Sequence, residues 1–238
     1  MNNPHPSPLP KGEGVKIIVI TGATGALGKR TAHAFAAQGH SLALFGTDQN
    51  KLDSLARELN LPSERLLTFV VDLRDGNAVH SAGRAVSAKF GGVHGLIHLV
   101  GGWLGGKTIP ETSVDDFNSM FDQHVQTTFH LFQTFMPLLE KSKWGRVITV
   151  SPSTVPHPLA KRGAYTAAKA AQETLMLTLA AELRESNVTA NIIQVKAIDV
   201  EGKGTGTTLD EIVAAMVYLF SEEASKINGA RLSLYYSG

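Results

Sequence analysis

Tyr165 and Lys169 stand four residues apart in the stretch YTAAK, so a helix there brings a phenol and an ammonium to one face. A tyrosine is ordinarily neutral, with a pKa of about 10. A neighbouring ammonium favours the phenolate, which makes such a tyrosine a usable general acid or base near neutral pH. The plainer reading is a surface helix that happens to carry an aromatic and a lysine. A second stretch bears on the choice. VKIIVITGATGALG sets Gly22, Gly25 and Gly28 at three-residue steps directly after an apolar run rich in β-branched residues. A strand, a glycine turn and a helix in that order bring unpaired N–H groups and a partial positive charge against a pyrophosphate. The spacing is GxxGxxG, which an ordinary strand-to-helix turn can also show.

The elements that must position these residues follow from periodicity. Val15 to Thr21 reads as a strand buried on both faces, and 29–38 as a helix ended by Gly39. A strand at 41–45 leads to Asp48, a candidate N-cap for a helix through Leu59. Strands follow at 66–71, 95–100, 146–150, 188–195 and 230–236, with helices at 75–90, 113–141, 165–185 and 208–220 between them. Pro137 is expected to bend or end the last turn of the second of these helices. Strands alternating with helices predict an α/β fold: one domain, residues 15–238, built on a doubly wound, seven-stranded parallel sheet of Rossmann type. The proline-punctuated start, MNNPHPSPLPKGEG, reads as a disordered extension over residues 1–14, or as a start codon placed too early.

Composition narrows the function. A net charge of +1 gives no electrostatic case for nucleic acid or a membrane surface. No apolar run is long enough to span a bilayer. The chain has no cysteine, which excludes disulfides, thiolate metal sites and a cysteine nucleophile, and leaves a reducing cytoplasm as the default location. No metal is expected.

Five stretches in order resemble the short-chain dehydrogenase/reductase family. They are TGATGALG (21–28), VVDLRD around Asp72, GRVITVSPS (145–153), YTAAK (165–169) and the terminal SEEASKINGARLSLYYSG (221–238). The resemblance implies hydride exchange between a nicotinamide dinucleotide and a carbonyl, alcohol or quinonoid substrate. It implies that Tyr165 exchanges a proton with the substrate oxygen and that Lys169 holds the nicotinamide ribose. It implies a cofactor bed of Gly22, Thr24, Gly25, Ala26, Leu27, Gly28, Thr47, Asp72, Leu73, Val100, Gly101 and Ile198, together with Tyr165 and Lys169, with Asp72 at the adenine.

Departures from the family pattern are equally specific. The family's serine position falls on Pro152, which leaves Ser151 or Ser153 to polarise the substrate, with Ser153 slightly preferred, or both merely completing a turn. The helix asparagine is replaced by His124, a candidate proton relay or a packed histidine. His98-Leu99-Val100-Gly101 replaces the usual Asn-Asn-Ala-Gly, and Val195-Lys196 and Val200 replace the residues near the carboxamide. The segment EGKGTGT is a shortened lid, which predicts an open site, a bulky substrate or loss of activity. The loop VGGWLGG (100–106) is similar to that of dihydropteridine reductases, and Trp103 is either a stacking platform or a loop anchor. The second strand ends at Gly46-Thr47 with no acid to repel a 2′-phosphate, which favours NADP over NAD. Phe117, Phe121, Val125, Phe129 and Phe132, with Leu175, Leu179 and Leu183, form stripes like those of the family's paired interface helices. They predict a homodimer or homotetramer. The competing function is a dinucleotide-binding sensor or assembly partner with little catalysis.

Overall fold

The computed structural model describes residues 14–235. The expected extension at 1–14 therefore lies almost wholly outside the described residues. The elements run in the order β1 (Ile17–Thr21), α1 (Ala26–Ala37), β2 (Ser41–Gly46), α2 (Gln49–Leu59), β3 (Leu66–Val70), α3 (Gly76–Phe90), β4 (Gly95–His98), α4 (Val114–Phe121), α5 (Thr127–Lys141), β5 (Gly145–Pro152), α6 (Gly163–Glu182), β6 (Val188–Val195), β7 (Ile198–Asp199), β8 (Thr207–Thr208), α7 (Leu209–Leu219) and β9 (Arg231–Ser233). One seven-stranded sheet has the order β3-β2-β1-β4-β5-β6-β9, and every pairing in it is parallel. Strand order reverses between β1 and β4, so the connections that leave their C-terminal ends go to opposite faces of the sheet and open a crevice there.

Helices cover both faces, which is why the central strands are apolar throughout rather than alternating. Val19, Leu96, Val147 and Ile192 point to the face packed by α3, α5 and α6. Ile18, Ile20, Ile97, Ile148 and Ile193 point to the face packed by α1, α2 and α7. All nine of these side chains are at most 1 % exposed. Asp48 caps α2, accepting from the Lys51 N–H at 3.1 Å, as its position before the periodic run predicts.

Two expectations change. The 113–141 helix is not continuous: residues 122–126 form a single π-helical turn between α4 and α5. Pro137 does not end α5, which carries it inside and runs on to Lys141. Pro137 is on the exposed side, as is Gln133 one turn before it, so water can satisfy the carbonyl that loses its partner. The shortened lid is not a loose strap. Asp199 is buried and its carboxylate accepts from the backbone N–H groups of Lys203 (3.0 Å), Gly204 (2.7 Å) and Thr205 (3.3 Å), folding the segment back on itself between the short strands β7 and β8.

Candidate active site

The crevice at the C-terminal ends of the strands holds two adjoining cavities. The first, about 460 Å³, runs from the glycine turn to α6 and includes Gly22, Gly28, His98, Trp103, His124, Ser151, Tyr165 and Lys169 in its wall. The second, about 420 Å³, lies at the ends of β1, β2 and β3 and includes Thr24, Thr47, Asp72, Leu73 and Arg74. Every residue expected in the cofactor bed lines one or both. Gly22, Gly25, Ala26, Leu27, Gly28, Val100, Gly101, Tyr165, Lys169 and Ile198 line the first, and Thr24, Thr47, Asp72 and Leu73 the second.

The glycines of the turn are needed for space and for backbone angle. Gly22 has φ +66°, and a Cβ on it would press on the Leu99 carbonyl at 3.1 Å. A Cβ on Gly28 would collide with the Gly22 carbonyl oxygen and lie 2.8 Å from Ala23. Helix α1 starts with no side-chain cap and no acid in its first turn, so its N-terminal N–H groups and dipole face the cavity without a competing anion. This cradle fits a dinucleotide pyrophosphate.

Lys169 is buried and tied down. Its Nζ donates to the Val150 carbonyl at 2.7 Å and to Gln172 Oε1. Gln172 Nε2 donates in turn to Thr128 Oγ1 at 2.8 Å and to the His124 carbonyl at 3.3 Å. Thr128 Oγ1 also donates to that carbonyl, at 2.6 Å. His124 lies in the π turn, and its carbonyl accepts from both of these side chains. Burial pulls the Lys169 ammonium down to about 8, with Glu173 working the other way. The expected effect of Lys169 on Tyr165 is not what the free protein shows. Burial pushes the Tyr165 phenol above its ordinary value, and the cation that opposes the rise is Arg162.

His124 packs edge-on against the Tyr165 ring, with centroids 5.5 Å apart. Its Nε2 lies 2.9 Å from the Gly102 carbonyl, which can only accept, so Nε2 carries the proton. Burial, then the Lys169 charge, hold His124 down at about 4, so the ring is neutral and Nδ1 is a free lone pair. That atom is buried without a partner among the described residues. His98, which sequence reasoning noted only as a departure, lies in the same wall. Its Nδ1 is 2.7 Å from Thr21 Oγ1, its Nε2 has no partner, and burial, with Lys169 and His124 nearby, holds it at about 3.

Of the two candidate serines, the structure brings Ser151 to the cavity. Ser151 is 1 % exposed, lines the first cavity and has an unpartnered Oγ, whereas Ser153 is absent from the wall. Pro152 is the last residue of β5 rather than part of a turn after it. It pairs with Val195, and the Ser153 N–H continues the ladder to the Val195 carbonyl at 2.8 Å. β4 stops pairing at Thr149, so the N–H that proline lacks would have met no strand. Sequence reasoning also passed over Arg74, Arg162, Gln172 and Thr128. Only Gln172 left a trace, three residues after Lys169 on the same helix.

The chain belongs to the short-chain dehydrogenase/reductase family of oxidoreductases: the family's pattern, described as short chain dehydrogenase, matches residues 16–207. Among its relatives are an uncharacterized oxidoreductase of Staphylococcus epidermidis, 27% identical over 77% of this chain and 78% of that one, and the uncharacterized oxidoreductase YciK of Escherichia coli K12, 31% identical over 71% of this chain and 69% of that one. A crystal structure of a short chain dehydrogenase from Bacillus anthracis superposes with a TM-score of 0.85 at 25% identity, covering 92% of this chain and 94% of the other. No helix among the described residues is long and apolar enough to cross a membrane.

Proposed function

We propose that this oxidoreductase is NAD(P)-dependent and reduces a carbonyl or quinonoid group, or oxidises the matching alcohol, with Tyr165 as the proton donor and acceptor. The observation that carries the reading is the convergence of Tyr165, Lys169, His124 and Ser151 on a cavity that opens onto the glycine turn. A nicotinamide dinucleotide, when bound, supplies or takes up the hydride. Gly22 to Gly28 and the start of α1 would hold its pyrophosphate, Asp72 and Leu73 the adenine, Lys169 the ribose, and backbone near Val100, Gly101 and Ile198 the nicotinamide.

Tyr165 keeps its proton at neutral pH because burial raises its pKa, which suits donation to a substrate oxygen and hence the reductive direction. The Ser151 hydroxyl, buried and free, is the group to polarise that oxygen; Ser153 is not. His124 Nδ1, beside the Tyr165 ring, is the acceptor through which a water would pass the replacement proton. NADP is favoured over NAD. What supports this is that Thr47 and Arg74 line the same cavity, where a hydroxyl and a guanidinium, the latter forked onto Asp72 at 2.7 Å and 3.0 Å, are available to a 2′-phosphate.

A homodimer or homotetramer is part of the same reading. Phe129, Phe132, Met136, Leu175 and Leu179 line a groove between α5 and α6, and Phe129 is 48 % exposed. Fluorescence titration of both reduced cofactors tests the nucleotide assignment. Saturable binding with NADPH tighter is expected. Binding of neither refutes the assignment, and tighter NADH refutes the NADP preference alone.

A further inference from the structure

The wall around Tyr165 is cationic, and no acid lines it. Arg162, Lys169 and Lys196 line this first cavity. Lys169 is committed to Val150 and Gln172. The half-buried Arg162 guanidinium has no hydrogen-bond or ion-pair partner among the described residues. Elsewhere the chain forks Arg74 onto Asp72 and pairs Arg231 with Glu173. At Arg162 it holds a guanidinium at the cavity wall unpaired. Helix α6, which Arg162 opens, has no side-chain cap and no acid in its first turn.

The backbone that carries Arg162 is held in place. Lys161 has φ +63°, a left-handed backbone rare for a residue with a side chain. Its carbonyl accepts from the Gly106 N–H at 2.8 Å. A Cβ on Gly105 would lie 2.5 Å from the Trp103 ring and 3.1 Å from that same carbonyl oxygen. A Cβ on Gly163 would press on Ile109 at 3.2 Å. The glycine-rich loop and the start of α6 are thus clasped at Arg162, and Trp103, 61 % exposed, stands in the same wall. Arg162 and Trp103 do not line the second cavity, where the adenosine end of a dinucleotide belongs.

Resting on the placement of substrate beside Tyr165, we propose that the substrate is an organic acid: its reacting oxygen meets Tyr165, its carboxylate pairs with Arg162, and its flat or apolar body lies against Trp103. A guanidinium matches a carboxylate in two parallel hydrogen bonds, and the partly enclosed site strengthens them. Pairing also cancels the one cation that lowers the Tyr165 pKa, so an acid substrate leaves the phenol more firmly protonated for donation.

Benzoate and benzamide, alike in shape and different in charge, are titrated into the full chain by intrinsic fluorescence, with and without saturating NADPH. Benzoate is expected to bind at least about tenfold tighter, and the preference should survive NADPH. Arg162→Gln should erase the preference and Arg162→Lys should keep part of it. Circular dichroism and urea midpoints check that the variants fold, and removing a side chain without partners strands no buried group. Equal affinity for the two probes overturns the proposal, as does an unchanged preference in Arg162→Gln. Loss of benzoate binding on adding NADPH would assign the cations to the cofactor's phosphates and equally overturn it. The readout is binding, so a chain that reduces no carbonyl yet prefers benzoate contradicts only the proposed reaction. One that reduces neutral aldehydes without that preference contradicts only the acid-substrate inference.

Discussion

Acidification from pH 7 to pH 5 should cost this protein much of its stability, and the loss can be worked from three histidines. His40, His98 and His124 are each 2 % exposed. Burial holds them at about 4, about 3 and about 4, against an ordinary value of 6.5. In each case the folded pKa is depressed, so between the folded value and 6.5 the unfolded chain binds the extra proton. Stability is therefore fully present above pH 6.5 and is lost as pH falls towards the folded values. At pH 5 each histidine costs roughly 2 kcal/mol, or about 5–6 kcal/mol together, against a typical total of about 5–15 kcal/mol. Carboxylates paired in the fold, such as Asp72 with Arg74, sit below their ordinary values and remain ionised at pH 5, so they do not blur the window. Urea unfolding at pH 7, 6 and 5, followed by circular dichroism, measures the loss. His40 accepts from the Lys16 N–H at 3.3 Å at the opposite end of the sheet from the cavity, so His40→Leu should remove about a third of the pH dependence without touching the site. Stabilities at pH 7 and 5 that agree within about 1 kcal/mol would refute the claim that burial keeps these rings neutral.

Gly28→Ala should destabilise the fold by about 1–3 kcal/mol, read as a lower urea midpoint, because its Cβ meets backbone that cannot retreat. The same variant should weaken NADPH binding in the fluorescence titration. Light scattering at micromolar concentration should give about two or four times the 25.4 kDa chain mass, and a monomer would defeat the oligomer reading. Gln172→Leu removes one of the two Lys169 acceptors and the bridge to Thr128, so the alkaline limb of the activity profile should move to lower pH. An unmoved limb would show that Gln172 does not position Lys169.

Much of the fold is legible in the sequence because its signals are local. Asp48 announces a cap, Gly91 a left-handed stop at φ +79°, and the run before Gly22 a strand buried on both faces. The π turn at 122–126 leaves no such mark. One extra residue in a helix barely shifts the apolar spacing, and only the side chains that satisfy the His124 carbonyl, Thr128 and Gln172, reveal it. The placement of Ser151 rather than Ser153 in the cavity wall was hidden for a related reason. A proline reads as the end of a strand unless one knows that β4 has already stopped beside it. Tyr165 and Lys169 were legible as a spaced pair. The electrostatics between them were not, because burial of Tyr165 and the approach of Arg162 are set by loops whose packing no periodicity encodes. The residues expected to bind a cofactor show the opposite case: strand ends at a topological switch point gather residues distant in sequence, and fold and order suffice to bring them to the two cavities.

The central claim, that Tyr165 works as acid and base beside a reduced dinucleotide, is tested most directly by isotope transfer. Wild-type protein is incubated with NADPH deuterated at C4 and a panel of aldehydes, ketones and quinonoid compounds, some bearing a carboxylate, and products are read by mass spectrometry. At least one product should gain a single deuterium. Tyr165→Phe should form it about 10²- to 10⁴-fold more slowly while binding NADPH with nearly unchanged affinity. Label transfer at an undiminished rate in Tyr165→Phe, or none to any compound by wild-type protein that binds the cofactor, would contradict it.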